Sequence, residues 1–140
     1  MLARIRDRKD QEGFTLIELL VVMIIIGILA AIAIPIFLNQ RKAAHDSAIK
    51  SDLRSAATQV ESFFVNNDAY PATGTDLKTA PTSVKTSVGV TLSYILRAAA
   101  SANGPGTYCI SGTHADATHD WVYDSFKGGL QPGATVTCAA

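Results

Sequence analysis

The sequence predicts an α+β chain in which one long N-terminal helix packs on a small antiparallel sheet of three to four strands. Three observations predict it. Residues 14–38 are almost wholly apolar. Ile49, Leu53, Ala56, Val60 and Phe63 then recur at three and four residues, the spacing of one helical stripe. After residue 87, apolar residues alternate with polar ones between turn signals.

Residues 1–13 carry alternating charges without apolar period and read as a leader rather than a structural element. The apolar run follows directly, with Glu18 as its single charge. At about 1.5 Å per residue, a helix over 14–38 is roughly 37 Å long, enough for a hydrocarbon core of about 30 Å. Arg4, Arg6, Arg8 and Lys9 precede it, and Arg41 and Lys42 follow it more sparsely. The positive-inside tendency therefore places the N-terminus in the cytoplasm and residues 39–140 outside.

The helix is expected to continue from about Thr15 to Phe64. In the amphipathic part, residues 39–66, Arg41, Lys50, Asp52, Arg54 and Glu61 fall off the apolar stripe. Asn66, Asn67 and Asp68 before Tyr70 and Pro71 form the stop. Residues 67–87, rich in Thr, Ser, Ala and Pro, read as a connecting loop.

Residues 88–140 supply the sheet and tail. Val88, Val90, Leu92, Tyr94 and Leu96 alternate as a first strand, and Asn103, Gly104, Pro105 and Gly106 make a turn. Residues 107–111 and 121–126 read as further strands, with Gly128 and Gly129 closing the last. Short connections favour a meander. Val136 and Cys138 stand at strand spacing in the tail.

The two cysteines, Cys109 and Cys138, both lie in the exported part, where a disulfide can persist; two buried thiols are the alternative. With 12 basic and 12 acidic residues in 140, no global field favours nucleic acid, and any such contact would have to be local.

The sharpest signal is the junction Glu12, Gly13, Phe14, Thr15, Leu16, Ile17, Glu18. It resembles the cleavage and methylation motif of type IV pilins and the related pseudopilins of type II secretion. The resemblance spans residues 9 to about 60. It implies that a membrane aspartic peptidase cuts after Gly13 and N-methylates Phe14, and that the subunit polymerises into a helical filament driven by an assembly platform and ATPase. It implies that Glu18 pairs with the terminal amine of a neighbouring subunit. It also implies that the stretch containing Gly27 and Pro35 unwinds on leaving the membrane; a simple kink there is the other reading. A minor pilin or a secretion pseudopilin is the rival within the family, and a cysteine pair near the carboxyl end leans toward a pilus subunit. The implied location is a single-pass membrane precursor that becomes part of a surface filament.

The residues support this independently. A carboxylate in a lipid-spanning segment costs on the order of 2 to 4 kcal/mol and needs a partner. Cutting after Gly13 creates an amine four residues before Glu18. Thr15 and Glu18 also have capping-box spacing, and the two roles can coexist on different carboxylate oxygens.

Other sites carry less. His114, Asp116, His119, Asp120 and Asp124 cluster without a metal-ligand spacing; a charged turn explains them better, calcium on Asp116 and Asp120 being the form a metal would take. No metal or cofactor is expected. Trp121 and Tyr123 share one strand face and read as core rather than, with Phe126, a binding face. No residue set supports enzymatic activity. The rival from another class is a secreted or anchored module with an ordinary signal peptide, for which Ala31, Ile32, Ala33 offer a cleavage site and Ile34 a mature start. Glu18 inside the would-be apolar region opposes it.

Overall fold

The computed structural model describes residues 13–72, 77–79, 82–97, 106–133 and 137–138. Leader residues 1–12, turn residues 103–105 and tail residues 134–136 lie outside the described residues. The chain divides into two compact units, Met1–Leu38 and Asn39–Ala140.

Helix α1 spans Leu16–Asn67, 52 residues. It runs without interruption through Gly27 and Pro35. It ends three residues beyond Phe64, for a local reason. Asp68 takes a positive φ of 53° and its N–H donates to the Phe64 carbonyl at 2.8 Å, the left-handed helix stop usually given to glycine. The side-chain amides of Asn66 and Asn67 fold back to donate to the carbonyls of Ser62 and Phe63, one turn earlier, at 2.9 and 2.8 Å.

Four strands follow: β1 Thr91–Arg97, β2 Thr107–Thr113, β3 Trp121–Asp124 and β4 Gly129–Pro132. They pair in sequence order as an antiparallel meander. Tyr94 stands opposite Ile110, which stands opposite Tyr123, which stands opposite Leu130. Alternation puts these on one face, packed with Ile49, Leu53, Ala56 and Val60 of α1 in the main core. Gly112 marks a close approach of sheet and helix. A Cβ there would come within 2.7 Å of Ile49 Cγ2 and 3.2 Å of Leu53 Cγ, so the helix rests where the strand has no side chain.

Several boundaries differ from the sequence expectation. Val88 does not begin β1; it is 96% exposed in a turn, and the strand starts at Thr91. Gly89 (φ 80°) interrupts the extended backbone. β3 stops at Asp124 because the Asp124 carboxylate accepts the N–H groups of Phe126 (3.0 Å) and Lys127 (3.3 Å), which turns the chain. Phe126 is consequently outside, 74% exposed. Gly129 opens a fourth strand rather than closing the third. Trp121 and Tyr123 pack against the core, as expected. Residues 77–87 are more than a connection, since Leu77, Thr82 and Val84 are buried. Asp52, placed off the stripe by periodicity, is also buried; its carboxylate accepts the Ser87 N–H at 2.6 Å and hydroxyl at 3.1 Å.

The opposite sheet face carries Thr137 and Cys138 of the tail. Cys109 bonds to Cys138, and the pair packs on Val122. Beside it, the Arg97 guanidinium meets Asp124 at 2.9 Å and donates to the Thr137 carbonyl at 3.4 Å. The disulfide closes a loop of 29 residues, which in the chain-entropy model corresponds to about 3 to 4 kcal/mol. Reduction should therefore lower the urea midpoint of the Asn39–Ala140 unit by that equivalent. A midpoint unmoved by dithiothreitol would show that the tail is held by other contacts.

Candidate functional site

The start of α1 is built from four residues. Among the described residues, nothing lies within 4 Å of where a side chain at Gly13 would begin. Phe14 is 90% exposed. Thr15 and Glu18 then close a reciprocal capping box: Glu18 Oε2 accepts the Thr15 N–H at 2.9 Å and its hydroxyl at 2.7 Å, while the Glu18 N–H donates to Thr15 Oγ1 at 3.3 Å. Two amide donors that a helix start leaves unserved are thereby satisfied. Glu18 Oε1 accepts no hydrogen bond among the described residues, so the capping role leaves one carboxylate oxygen for a second partner.

Beyond the cap, every large apolar side chain of residues 14–38 is exposed, from 46% at Val21 to 90% at Phe14. The helix is long and apolar enough to cross a membrane, with none of its most apolar window buried. Such a surface is stable only against lipid or other apolar helices. The exposed apolar surface begins at the same place as the cap, so the acid sits at the head of the segment that requires partners.

The polar candidates of residues 114–124 separate. Asp124 belongs to the opposite sheet face with Arg97 and is fully buried there. His119 Nδ1 lies 3.7 Å from Asp46 Oδ2, and Asp46 Oδ1 accepts the N–H groups of Thr118 and His119 at 3.0 and 3.2 Å. Burial pushes the Asp46 carboxyl up, but the hydrogen bonds from His119 and Thr118 outweigh it and hold it below the usual carboxylate range. Asp120 uses its backbone carbonyl to accept the Gly133 N–H at 2.8 Å. His114 stacks on His45 of α1, with ring centroids 3.9 Å apart. Sequence reasoning missed His45 and Asp46, since nothing in their local pattern relates them to residues some seventy positions later.

Comparison with known proteins addresses the helix head directly. The model described as a prokaryotic N-terminal methylation motif matches residues 8–34. The type IV wide pilus major component PilA4 of Thermus thermophilus is 33% identical over 134 residues, covering 92% of this chain and 93% of that protein. The type IV major pilin protein PilA of Myxococcus xanthus is 45% identical over 76 residues, 54% of this chain and 34% of that one. Core protein G of the Pseudomonas aeruginosa type II secretion system is 39% identical over 67 residues, 48% of this chain and 47% of that one.

Proposed function

The chain belongs to the type IV pilin and secretion-pseudopilin family, and from this we propose that it is a structural subunit of a type IV pilus, cut after Gly13 and polymerised through residues 14–38. The observation that carries the proposal is the coincidence of the Gly13–Phe14 junction, Glu18 and a wholly exposed apolar helix surface. A pilus component matching over 92% of the chain favours this over a secretion pseudopilin, whose likeness extends over about half of it. Adhesion, surface motility, DNA uptake and secretion all use such filaments.

The precursor inserts with residues 1–13 in the cytoplasm and residues 39–140 outside. A prepilin peptidase removes the leader and methylates Phe14. The new amine is a positive centre for Glu18, whose Oε1 remains available beside the cap. In a medium of low dielectric that pairing is strong only when both groups are close and otherwise satisfied, which makes it sensitive to axial register. Residues 14–38 then exchange lipid for helix neighbours, and the strand unit forms the outer surface. Pro35 provides no N–H for the Ala31 carbonyl, a fault of about 3 kcal/mol in a water-exposed helix and smaller in a membrane. Together with Gly27 it makes this stretch the place where the helix unwinds on entering the filament.

Peptide mass spectrometry of sheared surface filaments tests the proposal. An N-methylated terminus at Phe14 is expected; a mature start at Ile34 would return the chain to the signal-peptide class. Replacing Gly13 by Phe should leave the precursor uncut. Because no described residue lies within 4 Å of a Cβ at position 13, a block there reports the peptidase's own steric limit and not misfolding.

A further inference from the structure

All three histidines of the chain gather where the β2–β3 connection meets α1. Asp46 already anchors that connection through the backbone of Thr118 and His119. The His45–His114 pair is therefore surplus to holding the loop in place, and one of its polar atoms is unserved. His45 Nε2 is buried and has no hydrogen-bond partner among the described residues. An orphaned buried polar atom of this kind keeps its desolvation cost until a partner is supplied.

One ligand atom each from His45, His114 and Asp116 lie within 4.8 Å of one another. His114 Nδ1 accepts the Asp116 N–H at 3.0 Å, so Nε2 is the nitrogen it has left to offer. Glycine at position 89 is what admits the His114 ring, since a Cβ there would stand 2.5 Å from His114 Nε2. We propose that His45, His114 and Asp116 form a binding site for a divalent transition-metal ion of the zinc type, fastening the β2–β3 connection to α1.

The donor set decides the class of ion. Two imidazole nitrogens and one carboxylate oxygen suit zinc and its neighbours, whereas calcium and magnesium select oxygen donors. Tetrahedral bonds of about 2.0 to 2.1 Å place ligand atoms roughly 3.3 Å apart, so the donors must draw in. Asp116 is exposed and can swing, and the rings, now 18° from parallel, must tilt to aim at one point. Three protein ligands leave a fourth position for water. The ion would give His45 Nε2 its missing partner.

The test uses the untagged full chain in detergent, stripped with chelator and titrated with ZnCl2 by calorimetry. Saturable binding of one ion per chain is expected, with a rise in Tm of roughly 5 °C at excess metal. Cobalt in place of zinc should show the visible absorption of tetrahedral coordination. His45→Ala and His114→Ala should each weaken binding at least about 10-fold, with His119→Ala unchanged. No saturable binding, or loss on His119→Ala with none on His45→Ala, would overturn the site. Should either ligand variant fail to fold, the wild-type imidazole nitrogen resonances decide. Zinc-dependent shifts at His45 and His114 support it, and unmoved resonances refute it.

Discussion

Glu18→Ala should yield processed, membrane-inserted subunits and no filaments. The alanine side chain cannot pair with the Phe14 amine of a neighbour, while the Gly13–Phe14 bond is untouched. Removing one member of a buried ion pair typically costs about 3 to 5 kcal/mol, or roughly two to three and a half orders of magnitude in the equilibrium for adding each subunit. The capping box supplies the control. Thr15→Ala removes the hydroxyl that both donates to Glu18 Oε2 and accepts its N–H, at a cost of about 1 kcal/mol, and keeps the acid. Thr15→Ala should still assemble. Electron microscopy of sheared filaments and mass spectrometry of the membrane fraction read the two steps separately. Abundant filaments from Glu18→Ala would show that Glu18 serves the helix start alone.

The second large effect is expected at Asp124. This carboxylate is fully buried, pairs with Arg97 at 2.9 Å and accepts the two N–H groups that turn the chain into β4. Asp124→Ala leaves the Arg97 guanidinium and both amides without it, and should lower the stability of the Asn39–Ala140 unit by about 3 to 5 kcal/mol. Asp124→Asn keeps an oxygen for the turn and should lose less. Burial pushes the carboxyl up, but the Arg97 hydrogen bond and the Phe126 and Lys127 amides outweigh it and hold it below the usual range. A depressed folded value means stability that is fully present above the unfolded value, about 3.9, and lost as pH falls through the folded one. Urea unfolding of the full chain in detergent at pH 7 and at successively lower pH should show the wild type converging on Asp124→Asn in acid. Parallel curves would place the acid sensitivity on other groups.

Residues 16–67 and the stop that follows were legible because helices announce themselves locally, through apolar spacing and through Asn66, Asn67 and Asp68. The junction was legible for a different reason: a lone carboxylate in an apolar run conflicts with any simple anchor. Strand limits were less so. Val88 keeps the alternation of β1 yet lies outside it, because Gly89 turns the backbone, and a two-residue period does not register a positive φ. Phe126 followed the pattern of β3 but was displaced by hydrogen bonds that start at Asp124.

By itself the sequence determined the helix, its division into an all-apolar and a one-sided half, the acid at its head and the meander that follows. Tertiary structure alone decided which polar groups are buried and what they meet. Asp52 reaches Ser87 across 35 residues and His45 stacks on His114 from opposite halves of the chain. Periodicity reports which side of an element avoids water. It holds no information on which distant group will offer a partner once that side is covered, because that depends on where the chain folds back.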